Sequence, residues 1–283
     1  MRKHTRRALQ KVDENVDTCD LLGVMSKAEE DLLRRCLEIY CQQHPSASCQ
    51  DVARMSRSEL EEATISEWRH RSGIRSKLPR GPKLAGSFMQ LCQAMGFTQE
   101  KVPAGIWTYA LIAGATLPNM ERRCLFLERC FKSGVLPEHV AMLASDPEAD
   151  CSTLQLEVHG CATEADLAKR LQEHLASRSN SCMATKWLAA SVVRTENPRA
   201  GFMETLKTWL QASPVPGRLL VVSHQPFLPR YQIQASRFLQ ATNFRTERVE
   251  VIGEKLRKDF RTTKSSILLD AVAHWVQIQR ESA

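Results

Sequence analysis

The segment Leu219-Leu-Val-Val-Ser-His-Gln-Pro226 passes from unbroken apolar residues straight into Ser223, His224 and Gln225, and Arg230 follows a few residues later. A polar stop of this kind sets reactive side chains at the end of a buried strand. A histidine there titrates near neutrality and can serve as a general acid or base; it can equally hold a ligand or tie down a neighbouring loop. Arg194-Thr195-Glu196-Asn197 makes a second polar stop behind Val192 and Val193. Arg194 and Arg230 offer forked donors suited to a phosphate or carboxylate, and Glu196 offers a carboxylate that could move protons together with His224. The same turn also reads as a helix cap, with Asn197 before Pro198 at the first helical position. Glu164, inside Thr163-Glu-Ala-Asp166, has the same double reading, because acidic residues are favoured in a first helical turn. Carboxylates from two such loops could form an acid–base or metal pair. Gly114-Ala-Thr116 offers backbone amides and a hydroxyl, or simply a turn out of the sheet. No G-x-G-x-x-G and no G-x-x-x-x-G-K-[ST] occurs, so neither a dinucleotide fingerprint nor a P-loop is supported.

These stops need a scaffold, and the chain from about residue 101 onward supplies one. Five apolar runs with strand character are expected at Trp107–Ala113, His139–Ala144, Trp187–Val193, Arg218–Ser223 and Val249–Ile252. Amphipathic helices are expected between them at Asn119–Ser133, Thr163–Ser177, Pro198–Ala212 and Leu228–Ala241, with a last one over Lys264–Arg280. Continuous apolar strands alternating with helices imply a parallel sheet covered on both faces. Right-handed crossovers then make residues 101–283 a doubly wound, mainly parallel five-stranded, Rossmann-like α/β domain. Ligands of such sheets sit beyond the carboxyl ends of the strands. That rule selects Gly114–Thr116, Ser145-Asp146, Arg194–Asn197, Ser223–Pro226 and Gly253–Lys255.

Residues 1–100 read as an all-helical region. Ser26 with Glu29 and Ser58 with Glu61 have capping-box spacing, and a short helix over Phe88–Met95 is expected to end at Gly96.

The 283 residues are 43% apolar and 25% charged, which excludes disorder of the whole chain. No apolar stretch is long enough to span a membrane. The basic start leads into Asp13-Glu14 without an apolar core, so no secretory signal is visible, and a cytoplasmic protein is expected. The formal charge is +7, and its excess is concentrated in one window. Arg69, Arg71, Arg75, Lys77, Arg80 and Lys83 occur without an acidic residue among Gly73, Pro79, Gly81 and Pro82. This reads as a basic linker over 69–87, or alternatively as a phosphate contact for nucleic acid. The ten cysteines mostly sit in apolar helical stripes and are expected to be free buried thiols. There is no C-x-x-C, and His159-Gly-Cys161 with Cys151 is a weak metal group.

In order and spacing, Leu111-Ile-Ala-Gly114, Thr163-Glu164-Ala165, Arg194-Thr-Glu-Asn197 and Val221-Val-Ser-His224 through Arg230 resemble the YdcF/ElyC/SanA-like family of bacterial proteins. The resemblance covers roughly residues 105–255. It implies a Rossmann-like fold, a nucleotide or S-adenosylmethionine as ligand, and in some members a link to envelope metabolism.

Together these observations lead to the expectation of an anionic, nucleotide-like small molecule bound at the strand ends, with hydrolase or transferase chemistry left open. Gly114, Thr116, Glu164, Arg194, Thr195, Asn197, Ser223, Gln225 and Arg230 are the candidate ligand contacts, and His224 and Glu196 are the candidate catalytic pair. The alternative is a non-catalytic protein that holds a protein partner or nucleic acid through its helical first hundred residues and basic linker.

Overall fold

A computed structural model of the chain describes residues 25–46, 51–69, 82–103, 105–135, 137–145, 163–197, 200–242, 244–261 and 264–281. Arg71, Arg75, Lys77 and Arg80 of the basic segment lie outside these residues, as do Asp146, Cys151, His159 and Cys161.

The first two helices begin where side chains can satisfy unpaired amides. In α1 (Lys27–Gln43), Ser26 and Glu29 form a reciprocal capping box. In α2 (Arg57–Trp68) the box is Ser56 with Glu59, two residues earlier than the expected Ser58 with Glu61. Both pairs have the required spacing, and the earlier one prevails because Arg57 and Ser58 are already helical. Helix α3 (Gly86–Ala94) stops before Gly96, whose φ of +81° suits only glycine without strain.

Five strands then alternate with helices. They are β1 (Trp107–Ile112), β2 (Pro137–Ser145), β3 (Ser191–Thr195), β4 (Leu219–His224) and β5 (Val249–Glu254). Helix α4 (Leu117–Lys132) follows β1, and α5 (Glu164–Arg178) and α6 (Ser181–Leu188) precede β3. Helices α7 (Phe202–Gln211) and α8 (Leu228–Ala241) flank β4, and α9 (Ser265–Arg280) closes the fold. All pairings are parallel, in the order β3-β2-β1-β4-β5. The protein is thus a doubly wound α/β fold with a helical N-terminal region. None of the described helices is long and apolar enough to cross a membrane.

One expected strand begins too early. Trp187 and Leu188 belong to α6, which is capped by Asn180 accepting from Met183 N, and β3 starts only at Ser191. A short apolar run has no period of its own, and the tertiary environment selects helix here. Trp187 is fully buried, and its indole N–H donates to Glu128 Oε1 at 3.0 Å. Cys36, Cys92, Cys124 and Cys130 are free and buried, whereas Cys41 is disulfide-bonded, contrary to the free-thiol expectation.

The sheet has a core on each face. Ala110, Ile112, Met142, Leu220 and Val222 pack against α4, α5 and α6; Leu111, Leu143, Leu219 and Val221 face α7 and α8. A third core joins α1, α2 and α3 to α9 through Leu33, Leu37, Trp68 and Phe88 on one side and Leu268, Val272 and Trp275 on the other. Phe97 stands edge-on to Trp275 with ring centroids 5.6 Å apart. Truncating Trp275 to alanine should therefore cost about 3–5 kcal/mol in urea-unfolding free energy. It should leave one cooperative transition, because the N-terminal helices and α9 share this core. A new early transition would show that they unfold separately.

Candidate functional site

The carboxyl ends of β1, β2 and β4 meet over a buried arginine. Arg123 occupies a stripe of α4 that otherwise carries Met120, Cys124, Leu127 and Cys130, and it is 2% exposed. A guanidinium can only donate, and it donates in a fixed fork. Its Nη1 donates to Ala113 O and, at 2.7 Å, to Gly114 O; its Nε donates to His224 Nδ1 at 3.1 Å. Tyr231 of α8 accepts a further hydrogen bond from it. Burial pulls the Arg123 guanidinium below its ordinary value, and the neighbouring Tyr231 and Glu164 oppose that shift.

The donor at Nδ1 decides the state of His224. Because Arg123 Nε carries the proton of that bond, Nδ1 presents a lone pair and the ring proton sits on Nε2. His224 is buried, with its ring edge-on to Phe227 at 5.3 Å. This geometry makes His224 a brace between α4 and β4, with Nδ1 already engaged.

Glu164 comes nearer to chemistry. It begins α5 beneath the Thr163–Asp166 capping box, yet its own side chain turns inward and is 4% exposed. Ser145 N–H donates to its Oε2 at 2.7 Å, the Ser145 hydroxyl donates to the same oxygen, and Ala115 N–H adds a third bond. Burial nevertheless raises its pKa above the ordinary carboxylate value, against these bonds and the charge of Arg123. Gly114 makes the approach feasible. A Cβ there would stand 2.6 Å from both Glu164 Oε1 and Leu143 O.

Above these groups is a cavity of about 90 Å³ bounded by Gly114, Ser145, Glu164, Gly201, Thr205 and Tyr231. Its far wall is the stacked pair Phe202–Tyr231, with centroids 4.4 Å apart and planes 11° off parallel.

The candidate residues divide by strand. Gly114 and Glu164 line the cavity. Thr116 instead caps the entry to α4, its hydroxyl accepting from Asn119 Nδ2 at 3.1 Å. Arg230 is half-buried in the first turn of α8, its guanidinium 6.0 Å from the Tyr231 ring. Ser223 lies on the sheet face opposite His224, fully buried, and its hydroxyl has no partner among the described residues. Gln225 turns away to donate to Gly96 O at 2.7 Å and Gln99 O at 2.9 Å; its peptide bond to Pro226 is cis.

Arg194 is exposed on β3, an edge strand, and Glu196 and Asn197 are exposed just beyond its end. Thr195 is buried there, 2.9 Å from the Thr208 hydroxyl. Strands β3 and β4 are three spacings apart in the sheet, which is ~14 Å. Glu196 and His224 are therefore not brought together as a pair. Asn197 is not the expected cap either. Gly201 holds that position, donating its N–H to Glu204, and Asn197 Nδ2 donates to Glu204 Oε1 at 2.8 Å.

Arg123, Thr205 and Tyr231 were not expected at the site. Arg123 alone left a trace in the sequence, as a charge interrupting an apolar helical stripe. Among the described residues no group of three or more His, Cys, Asp or Glu side chains could hold a metal ion.

Fold and site together define a doubly wound α/β protein with a polar cavity at its strand carboxyl ends. Compared with known proteins, the chain matches no family model and no curated sequence.

Gly114→Ala should destabilise the fold by about 1–3 kcal/mol through overpacking, because one of the atoms its methyl would strike is backbone. Thermal or urea melts check this, and an unchanged melt would mean that the β1–α5 contact yields freely. Glu164→Gln should show a pH signature. A carboxyl whose folded pKa is raised binds its proton more tightly in the folded than in the unfolded state. Its contribution is therefore most favourable at low pH and is lost as pH rises through the folded value. Relative to the glutamine variant, the wild type should lose stability as the pH rises above the ordinary carboxylate range, as measured by urea unfolding at a series of pH values. A flat difference would contradict the raised value.

Proposed function

We infer that the protein binds an anionic, nucleotide-like small molecule across the carboxyl ends of β1, β2 and β4, with one polar group of the ligand seated in the Gly114–Glu164–Tyr231 cavity. The observation that carries this reading is a buried carboxyl with a raised pKa facing open space at the topological switch point of a doubly wound sheet. The cavity of about 90 Å³ has room for a phosphoryl group or one edge of a sugar, and not for a whole nucleotide. The rest of the ligand would lie outside, toward Arg230.

The donors suit that group. Arg123 donates to the Tyr231 oxygen, which leaves the phenolic proton to a ligand acceptor. The buried guanidinium one layer below favours negative charge above it. Glu164 can accept from a hydroxyl when ionised and donate to a phosphate oxygen when protonated. In a group transfer or hydrolysis at a bound phosphate or ester, Glu164 would be the acid–base group. Two pieces of the YdcF-like resemblance, Gly114 and Thr163-Glu164-Ala165, come together at this cavity, which supports the same reading.

A thermal-shift panel of nucleotides, S-adenosylmethionine, sugar phosphates and polyphosphate tests it, with wild type beside Glu164→Gln and Arg230→Ala. A ligand at a hundredfold excess over its Kd adds about 2.7 kcal/mol. The expected result is a selective rise in melting temperature that both variants diminish. A flat panel on folded protein, or a panel in which no ligand's rise is diminished by both variants, would overturn the reading.

A further inference from the structure

A second cavity opens at the same end of the sheet, beyond β5. It measures about 460 Å³ and lies between the end of α3 with the turn after it and the segment that leaves β5. Small-molecule sites commonly measure about 300–1,000 Å³, so this groove can take a whole small ligand where the Gly114–Glu164 cavity cannot.

Its walls are fixed by hydrogen bonds. Gln225, buried at the end of β4, holds Gly96 O and Gln99 O through one amide. Leu256 N–H donates to Thr98 O at 2.9 Å, and Lys101 and Gly253 exchange backbone bonds of 3.0 and 3.2 Å. The turn after α3 is thus laced to β5 like an extra antiparallel contact, which fixes two walls of the groove by backbone bonds.

The charge in the groove is unbalanced. Lys255, Arg257 and Lys258 stand on one short exposed segment of its wall. Asp259 is ion-paired with Arg257 at 2.7 Å and with Lys264 at 3.3 Å. Glu100, the acidic residue of the lining, is met by Arg129 at 3.5 Å. Neither Lys255 nor Lys258 makes an ion pair with a described residue. Thr98 and Gln93 add a hydroxyl and an amide to the lining, and Met89 and Leu256 give it an apolar patch.

We propose that this groove is a separate binding site for a multiply charged, phosphate-bearing small molecule. Lys255 and Lys258 supply the charge, Thr98 and Gln93 supply hydrogen bonds to phosphate oxygens, and Met89 with Leu256 supports the uncharged part. Ammonium groups recognise phosphate as point charges, so binding weakens as salt rises.

Isothermal titration with inorganic tripolyphosphate and with ATP tests the proposal on the full chain. The variants are Lys255→Ala/Lys258→Ala and a control double variant, Lys132→Ala/Lys169→Ala, which loses the same charge from exposed positions elsewhere. Both probes should bind the wild type and the control alike, and the Lys255/Lys258 variant at least tenfold more weakly with an unchanged melting temperature. Tighter binding of ATP than of tripolyphosphate would assign the apolar patch to the nucleoside. Glu164→Gln should leave this binding intact, which separates it from the cavity beside β1. Absence of binding, equal loss in the control, or loss in Glu164→Gln alone would overturn the proposal.

Discussion

The strand ends of this protein are organised by the burial of one guanidinium. Taking an arginine out of water costs several kcal/mol unless its donors are matched, and Arg123 is matched by groups that the sheet itself cannot use. Ala113 O and Gly114 O lie just past the end of β1, and His224 closes β4. The requirement to satisfy one fork therefore fixes α4 over β1, shapes the loop after it and orients the imidazole. The field of Arg123 also acts on Glu164, which reaches Gly114 from the opposite side. Removing the arginine would strand three acceptors in the core. Its role precedes that of any ligand.

The same helix carries a second, wetter fastening. Arg122 places its Nε and Nη2 at 3.0 and 2.7 Å from Glu254 Oε2, and Arg129 reaches Glu254 Oε1 at 2.9 Å. Glu254 stands opposite His224 in the β4–β5 register. Helix α4 is thus held by a dry contact at β4 and by a half-exposed one at β5. Partly exposed pairs weaken in salt whereas buried ones do so much less, so of the two polar fastenings the Arg123 one is the less sensitive to salt. Gln225 extends the chain of contacts from β4 to the turn after α3, and the shared packing of α1–α3 on α9 completes it. The N-terminal helices thereby form one wall of the groove beside β5.

How much of this could be read from the sequence follows from how local each feature is. Strand positions were legible because both faces of the sheet are buried and the strands are continuously apolar. Helix α8 was legible to its end residues, since a polar stop and two prolines mark its start. The segment at Trp187 was misread because four apolar residues fit either period, and its indole bond to Glu128 comes from a different helix. The Glu196–His224 pairing failed for a topological reason. Sequence reading ranks loops by composition, and strand order alone reveals that β3 is at the edge. Glu164 was visible only as an acidic first-turn residue, because the absence of a Cβ at Gly114, fifty positions earlier in the chain, is what lets its side chain turn inward.

That inward turn explains why a cavity persists where interiors normally close their voids. Its walls cannot relax toward one another. Glu164 is held against Gly114 by three donors, and the Tyr231 ring is stacked on Phe202 and flanked by Phe227. Thr205, which could otherwise fill the space, returns its hydroxyl proton to Phe202 O at 2.9 Å within its own helix. Each wall is anchored by a bond made elsewhere, so collapse would break a hydrogen bond at every side and gain only a small apolar contact. The Glu164 carboxyl keeps a raised pKa because its burial outweighs these hydrogen bonds and the nearby charge of Arg123. The cavity and the buried setting of Glu164 are therefore two consequences of the same anchoring.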